Sequence, residues 1–298
     1  MKNVIVTGAN KGIGFATVRA ILEQHSNAQV LLGSRDTARG HTALENLCRI
    51  NPDWARRLSL LPIDVASEES VMAALDSVQS TINAPLYGLV NNAGIGLGST
   101  DLREVLEVNT FGVKRVCDAF LPLLADGGRV VNVSSASAVH FVGQCTADRQ
   151  AFFQNEAVEW SDIESLVAEV IAYQQAPRGW DDLGMDVDNA YGFSKACTTL
   201  YTLSLARKNP HLLINACTPG YIETDLTRPS AERQGVAPAE LGMKSPEHGT
   251  LSIMHLLFGE PHGSGHYYGS DAKRSPLDRY RAPGSPEYRQ RDDGLFAH

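Results

Sequence analysis

The stretch VIVTGANKGIG, residues 4–14, joins a short apolar run to three closely spaced glycines near the start of the chain. Gly8, Gly12 and Gly14 fall where a strand would turn into a helix. Glycines at such a turn let backbone N–H groups and the helix N-terminus approach a pyrophosphate without an intervening side chain. A plain tight turn has the same composition, so the meaning of this stretch depends on the rest of the chain.

Apolar, strand-like runs recur along the chain with helical patterns between them. They lie at residues 4–8, 29–34, 58–64, 87–92, 129–135, 212–218 and, more weakly, 266–268. Strands that are apolar almost throughout are typical of a parallel sheet covered by helices on both faces. The pattern predicts one α/β domain over residues 1–298, built on a doubly wound (Rossmann), mostly parallel sheet of seven strands.

One interval breaks this rhythm, because 56 positions separate Ser135 from Tyr191. Residues of about 138–188 therefore read as a helical insertion. Within it, Ser161 and Glu164 have the spacing of a capping box, and apolar residues recur at helical spacing, which predicts an amphipathic helix over 162–175. The C-terminal tail, about 270–298, is polar and aperiodic, and its composition suits either a strap or a disordered segment.

Composition narrows the classes of partner. The formal charge is −8 and the lysines and arginines form no cluster, which argues against binding to nucleic acid or an anionic membrane and favours small molecules. The five cysteines have no metal-ligand spacing, so we expect free thiols, no metal and no disulfide. With no apolar run of membrane-spanning length, a cytoplasmic location is expected.

The end of the second strand bears on cofactor choice. An NAD-binding protein usually places an acid there, whereas this chain has Ser34 and Arg35, which suit a 2′-phosphate, and Lys11 in the glycine turn could add a second charge. The alternative is that both cations are solvated surface groups. Because Asp36, the next residue along the chain, is an acid, binding of NAD instead of NADP stays open as a second alternative.

Two further strand ends carry polar residues. Asp64 ends the third strand and could meet an adenine, or it could only cap the helix near Ser67. The sequence NNAG, residues 91–94, ends the fourth strand where a doubly wound sheet reverses direction, although its asparagines could serve only to join strand ends. Ligands of open α/β sheets bind at this carboxyl edge.

Tyr191 and Lys195 lie four residues apart in YGFSK, at the start of a helical pattern. Side chains at this spacing share one face of a helix. A phenol with a pKa near 10 is a poor acid–base catalyst at neutral pH, and a nearby ammonium lowers that pKa. The pair therefore predicts a tyrosine acid tuned by a lysine.

Together these motifs resemble the short-chain dehydrogenase/reductase family, over roughly residues 3–268. TGANKGIG, DV at 64–65, NNAG, Asn109 in VNT, VVNVSS, YGFSK and PGYIETD occur in the family's order. The NKGIG form of the turn and the long insertion resemble the subgroup of monomeric, NADPH-dependent carbonyl reductases.

The resemblance implies which residues bind NADPH or NADP⁺. They are Gly8, Asn10, Lys11, Gly12, Ile13, Gly14, Ser34, Arg35, Asp64, Val65, Asn91, Ala93, Gly94, Tyr191, Lys195, Pro219, Gly220, Ile222 and Thr224. Pro219 and Gly220 would form the turn, while Ile222 and Thr224 would contact the nicotinamide amide and a nearby phosphate.

The resemblance also implies four catalytic residues. Tyr191 would donate a proton to a substrate carbonyl, Ser135 would hydrogen-bond the same oxygen, and Lys195 would also bind the nicotinamide ribose. Asn109 would hold a water that relays protons to Lys195, and Tyr221 would face the substrate. The function implied is reduction of a ketone or aldehyde to an alcohol. Reduction of an activated C=C bond and a non-catalytic NADPH sensor are the alternatives.

The insertion predicts the oligomeric state. Relatives with a short connection here resemble dimers or tetramers assembled through neighbouring helices. The apolar stripe of the inserted helix consists of Ile163, Leu166, Val167, Val170 and Ile171, and it must be buried against something. We expect it to cover the chain's own helical face and to keep the protein monomeric, with the insertion lining one wall of the substrate pocket. A dimer formed through this stripe is the alternative.

Overall fold

Seven strands form the centre of the molecule in a computed structural model, which describes residues 1–96, 101–175, 183–186 and 188–289. The strands are β1 (Lys2–Val6), β2 (Ala28–Ser34), β3 (Leu58–Pro62), β4 (Leu86–Asn91), β5 (Leu124–Val133), β6 (Leu213–Cys217) and β7 (Tyr267–Tyr268). All pair in parallel, in the order β3-β2-β1-β4-β5-β6-β7. The predicted doubly wound parallel sheet is therefore confirmed.

Helices connect the strands in the part of the chain that the structure describes. They are α1 (Gly12–Gln24), α2 (Thr37–Ile50), α3 (Glu68–Thr81), α4 (Leu102–Leu106), α5 (Gly112–Phe120), α6 (Ala136–Gln144), α7 (Ala147–Gln154), α8 (Trp160–Gln175), α9 (Ala190–Lys208), α10 (Arg228–Gln234) and α11 (Leu251–Phe258). A π-helical turn, Glu107–Phe111, joins α4 to α5 without a break. No helix among the described residues is long and apolar enough to cross a membrane.

The strands are apolar on both faces because helices cover both faces. Successive side chains of a strand point to opposite sides of a sheet. In β1, Val4 and Val6 pack into one buried cluster with Val18 and Ile21 of α1, whereas Ile5 packs into the other cluster. Neither face of β1 is left to water, as the continuous apolar run predicts.

The sheet order reverses between β1 and β4. Connections from these neighbouring strands leave in opposite directions, which opens a crevice beyond their carboxyl ends. The glycine turn comes after β1 at this edge, and the NNAG sequence begins at the end of β4. The fold therefore brings the two motifs together although more than 80 positions separate them.

The amphipathic helix of the insertion is present as α8, but it begins at Trp160, two residues earlier than predicted. The capping box expected from Ser161 and Glu164 is wrong, because that serine lies inside the helix. The carboxylate of Asp162 instead accepts a hydrogen bond from Glu159 N at 2.8 Å. Residues 176–182 and 187 of the insertion lie outside the described residues.

The apolar stripe of α8 is buried within the chain. Four of its five residues are at most 3% exposed, and Ile171 is half-buried. Trp160, at the start of α8, packs edge-on against Phe111 of the π-helical turn and Tyr201 of α9. The inserted helix thus covers α9 and the end of the π-helical turn.

The C-terminal tail forms an ordered strap over the residues that the structure describes. We use the term C-terminal strap for residues 269–289, and residues 290–298 of the predicted tail lie outside the described part. Arg274 runs antiparallel beside Tyr268 of β7, and Tyr288 N donates a 3.0 Å hydrogen bond to Arg274 O. The sequence left two alternatives for this segment, a strap or a disordered segment, and residues 270–289 form a strap.

Candidate active site

The glycine turn has the geometry that its sequence predicts. Gly8 and Gly12 have φ angles of +61° and +57°, a region that favours glycine. A Cβ atom at Gly14 would lie 2.5 Å from Asn92 Nδ2 and 2.6 Å from the carbonyl oxygen of Gly8. The glycines therefore let the turn pack closely on the segment after β4, and they place it at the N-terminus of α1, where a dinucleotide pyrophosphate would bind.

Two residues that the sequence analysis did not select hold this turn in place. Thr7 Oγ1 accepts hydrogen bonds from the backbone N–H groups of Asn92 and Ala93, both at 3.0 Å. The Asn92 amide donates to Thr7 O at 2.9 Å and to Gly8 O at 3.1 Å. Thr7 lies in the TGANKGIG motif and Asn92 in the NNAG motif, so membership of these motifs is the feature by which the sequence could have identified them.

Asn91 differs from its predicted role. Its amide nitrogen donates to Asn132 Oδ1 at 2.8 Å and to Cys117 Sγ at 3.2 Å, and the residue is buried. Its side chain therefore points into the core between β4 and α5, away from the crevice. A cofactor contact through the Asn91 side chain is incompatible with this arrangement, because alternate residues of a strand face opposite sides.

The end of β2 presents Arg35 for a 2′-phosphate as expected, but the predicted contact through Ser34 is not available, because that side chain is buried. Arg35 is 69% exposed, and its Nε lies 4.0 Å from Asp64 Oδ2. Ser34 is buried, with its hydroxyl donating to Asp36 O at 2.8 Å. The Asp36 carboxylate caps α2 by accepting from Arg39 N at 3.0 Å and pairs with the Arg39 side chain. Asp36 is thus occupied as a helix cap, as its position before α2 favours.

Lys11 does not join Arg35 in this structure. Its ammonium lies 2.6 Å from Asp225 Oδ2, and both side chains are more than half exposed. Because an exposed ion pair contributes at most about 1 kcal/mol, this pair would yield readily to a phosphate.

The residues after β3 take different positions. Asp64 does not cap α3, because the hydroxyl of Ser67 accepts the hydrogen bond from Ser70 N. Asp64 Oδ1 instead accepts from Ala66 N at 3.1 Å, and Asp64 Oδ2 faces Arg35. Val65 is buried, and its carbonyl oxygen accepts from Arg115 Nη1 at 2.6 Å.

The catalytic set gathers at the carboxyl ends of β4 and β5. Ser135 caps α6 by accepting a 3.1 Å hydrogen bond from Ser137 N, and it lines the same cavity as Tyr191. Tyr191 and Lys195 share the first turns of α9, and the lysine Nζ lies 5.9 Å from the tyrosine ring centroid. The ring of Tyr191 packs against the Cα of Gly96, where any side chain would collide with it.

Lys195 is buried, and its ammonium donates to Val133 O at 2.8 Å. Burial lowers the pKa of this lysine from 10.5 to about 8. A Cβ atom at Gly94 would lie 3.4 Å from Lys195 Nζ, so the absence of a side chain there leaves the ammonium open on one side. Lysine at this site is charged at neutral pH and faces the loop after β4.

The expectation of a lowered Tyr191 pKa is wrong for the free protein. Burial raises the pKa of the phenol, and the nearby Ser135 hydroxyl opposes that rise only in part. The ammonium of Lys195 donates to the Val133 carbonyl and lies 5.9 Å from the centroid of the tyrosine ring, and it does not reverse the effect of burial.

Asn109 lies in the π-helical turn and is fully buried. Its amide oxygen accepts from Ile95 N at 2.9 Å, and its amide nitrogen donates to Ile95 O at 2.8 Å and to Ser194 Oγ at 3.0 Å. The side chain therefore fixes the loop after β4 against α9, beside the lysine. The predicted water relay stays a prediction.

The loop after β6 closes the crevice opposite the glycine turn. Thr218 Oγ1 accepts from Ala136 N and Gly220 N, both at 3.1 Å, which ties the start of α6 to the Pro219–Gly220 turn. Gly220 has a φ of +92°. Thr224 reaches the glycine turn, since its methyl group would lie 3.4 Å from a Cβ at Gly12.

A cavity of about 430 Å³ adjoins these groups. Its lining includes Ile13, Ser135, Tyr191, Tyr221, Ile222 and Thr224, so the predicted substrate and nicotinamide residues meet there. The insertion contributes only its first turn in the described chain, through Val139 and His140. The predicted contribution of the insertion to the pocket wall is limited, among the described residues, to these two side chains, because α8 packs on α9; the strap lines the cavity as well.

Sequence comparison assigns this fold and site to a family. A family model described as short chain dehydrogenase matches residues 2–147. Carbonyl reductase (NADPH) 3 from Rattus norvegicus is 32% identical over 278 residues, which span 87% of this chain and 93% of that protein. The chain belongs to the short-chain dehydrogenase family.

Other relatives agree with that assignment. Carbonyl reductase (NADPH) 1 from Bos taurus is 32% identical over 271 residues, covering 85% of this chain and 89% of the bovine protein. The solved structure of salutaridine reductase from Papaver somniferum is 25% identical and superposes with a TM-score of 0.73, covering 90% of this chain and 99% of that one.

Proposed function

We propose that this protein uses NADPH to reduce a ketone or aldehyde to an alcohol, with Tyr191 as the proton donor. The observation that carries the proposal is that Ser135, Tyr191 and the glycine-turn residue Ile13 line one cavity, with the Ser135 hydroxyl close enough to the phenol to act on its pKa. A carbonyl oxygen placed between these two hydroxyls would receive two hydrogen bonds. The carbonyl reductases that match most of this chain favour the same reaction.

The residues present fit NADPH. Glycines at positions 8 and 14 allow the close packing of this turn, because a Cβ atom at either position would collide with its neighbours, and the N-terminus of α1 that follows the turn is the part of the fold that would bind a pyrophosphate. Arg35 is open to solvent at the end of β2, where a 2′-phosphate would lie. When bound, the nicotinamide supplies the hydride that reduces the carbonyl carbon.

The chain's own groups supply the proton. Because burial raises the pKa of Tyr191, its phenol holds a proton at neutral pH and is ready to donate it to the carbonyl oxygen. Ser135 hydrogen-bonds the same oxygen and stabilises the negative charge that develops there. Lys195, with a pKa of about 8, is mostly protonated at pH 7 and stabilises the tyrosinate left behind.

The alternatives are less well supported by the same residues. A reductase of activated C=C bonds needs no phenol beside a serine hydroxyl at the carbonyl position, and a sensor needs no buried proton donor. We also propose a monomer that acts on a small-molecule carbonyl, because α8 covers the helical face that a dimer would use.

Following NADPH absorbance with a panel of ketones, aldehydes, quinones and enones tests the proposal. We expect oxidation of NADPH with at least one carbonyl compound and formation of the matching alcohol. Products saturated at the C=C bond would instead support the enone reductase. Tight NADPH binding without turnover on any compound would support the sensor.

A further inference from the structure

The C-terminal strap leaves the sheet through a tightly held turn. Ser252 Oγ donates a 2.5 Å hydrogen bond to Gly269 O and accepts one of 3.3 Å from Ala272 N. Ala272 has a φ of +58°, in the left-handed region that costs a residue with a side chain about 1–2 kcal/mol. Such a conformation persists only where the surrounding contacts impose it, so the direction of the strap is strongly determined.

The strap then packs along α6, the helix that Ser135 caps. The ring of Tyr280 stacks on His140 with centroids 5.1 Å apart and planes inclined by 21°. A Cβ atom at Gly143 would lie 2.6 Å from Asp278 O, so the strap approaches the helix closely at a position without a side chain. Leu277 packs against Val139 one turn earlier. The strap therefore runs beside the same helix for more than one turn.

An ion pair within the strap holds it in this position. The side chain of Arg281 is only 6% exposed and pairs with Asp271. Its Nε donates to Ser275 Oγ and its Nη1 to Ser285 O, both at 2.9 Å. Asp271 also accepts from Gly284 N at 2.9 Å. Removing one partner of a buried pair is strongly destabilising, so the strap is a fixed structure.

These hydrogen bonds and the ion pair determine which side chains of the strap face a ligand in the cavity. Tyr280 and Arg281 both line the 430 Å³ cavity that contains Ser135 and Tyr191. The guanidinium is turned to partners inside the strap, and its charge is balanced by Asp271. Tyr280 is 49% exposed at the rim of the same cavity, to which Tyr221, 41% exposed, also contributes. The strap thus presents a flat ring to the cavity and not a free positive charge.

We propose that Tyr280 is a specificity-determining residue that limits the size of the carbonyl compound reaching Tyr191. Its ring, fixed on His140, forms the outer wall of the cavity, and a carbonyl compound with a larger group must displace it. This inference rests on the proposed carbonyl reduction. The shape of a pocket sets the ratio of kcat/KM between two substrates, and a difference of a few atoms between them changes that ratio by about tenfold or more.

Tyr280→Ala tests the inference, with Tyr288→Ala as a matched control. Tyr288 belongs to the same strap but is absent from the cavity lining, and its backbone N–H bonds to Arg274 O in either variant. The probes are the smallest and the largest carbonyl compounds that the wild-type enzyme reduces. We expect the ratio of kcat/KM for the large to the small compound to rise about tenfold in Tyr280→Ala. In Tyr288→Ala it stays within about twofold, and the NADPH Kd is unchanged in both.

A second variant moves the strap without altering Tyr280. Gly143→Ala adds one methyl group that would collide with Asp278 O, although alanine ordinarily stabilises a helix relative to glycine. We expect the same change in substrate ratio, with faster tryptic cleavage after Arg279 and Arg281, located by mass spectrometry.

The outcomes separate the two proposals. An active Tyr280→Ala variant with an unchanged ratio, or an equal change in Tyr288→Ala, would overturn the role of Tyr280 alone. A wild-type protein that binds NADPH but reduces no carbonyl compound would overturn the proposed function and the role of Tyr280 with it.

Discussion

Replacing Tyr191 with phenylalanine removes the phenol and keeps the ring. The ring still fills the space against Gly96, so the cavity keeps its shape. The variant loses the phenol hydroxyl, which is the proposed proton donor. General acid catalysis contributes about 10²–10⁴-fold, so we expect kcat to fall by that factor, which corresponds to about 2.7–5.4 kcal/mol in the activation free energy. The NADPH Kd should stay within about twofold, because the lysine that would bind the ribose is unchanged.

Tyr201→Phe is the matched control. Tyr201 lies on the same helix, α9, and is 4% exposed. Its hydroxyl has no hydrogen-bond partner of normal geometry among the described residues, and only the Cys117 thiol lies near it. Removing that hydroxyl therefore costs at most a weak contact with the thiol, and we expect kcat to match that of the wild-type enzyme. Thermal unfolding of both variants checks that the fold is retained.

The assay is single-turnover oxidation of enzyme-bound NADPH, measured by absorbance on the order of ms to s, with NADPH affinity from fluorescence titration. A Tyr191→Phe variant that reduces the carbonyl compound at near the wild-type rate would refute the proton-donor role. An equal loss in both variants would assign the effect to packing in α9 and not to proton transfer.

Three further predictions concern the cofactor, pH and mass. NADPH should bind at least about tenfold tighter than NADH. The Arg35→Asp variant should have a smaller or inverted preference for NADPH, because the substitution replaces an exposed cation with an anion. Equal affinities of the wild-type protein for NADPH and NADH would contradict the assignment of Arg35 to the 2′-phosphate. Lys195 loses its proton as the pH rises through about 8, so kcat/KM for NADPH should decrease above that pH in the wild-type enzyme and in Tyr191→Phe. A value of kcat/KM for NADPH that stays constant up to about pH 9.5 would argue against a charged lysine at the ribose. Light scattering at micromolar concentration should give a mass near 32.3 kDa, whereas a stable species of two or four times that mass would contradict the proposed monomer.

The sheet was predictable because each strand is specified locally. A strand covered on both faces needs an unbroken apolar run, and six of the seven runs are long enough to recognise. The glycine turn and the Tyr191–Lys195 spacing were predictable for the same reason, since backbone conformation and helical periodicity are properties of neighbouring residues.

The features that the sequence could not predict depend on contacts between distant segments. Thr7 and Asn92 are 85 positions apart, and nothing in either motif alone indicates that one holds the other. The direction of the Tyr191 pKa shift depends on burial by the completed fold, which outweighs a neighbouring charge. The strap lacks periodicity because an ion pair and a stacked ring hold it, instead of an apolar stripe.

The long separation between Tyr280 and His140 has a consequence for the synthesis of the protein. Thr7 and Asn92 can pair once the first hundred residues have emerged, whereas the stacked ring becomes available only 188 positions after Asn92. At about 5–20 residues per second, that interval lasts roughly 10–40 s. The nascent chain can therefore fix its glycine turn well before it can enclose a substrate. From the time that α6 emerges until Tyr280 follows His140, 140 positions later, the side of α6 that the strap contacts stays uncovered by it.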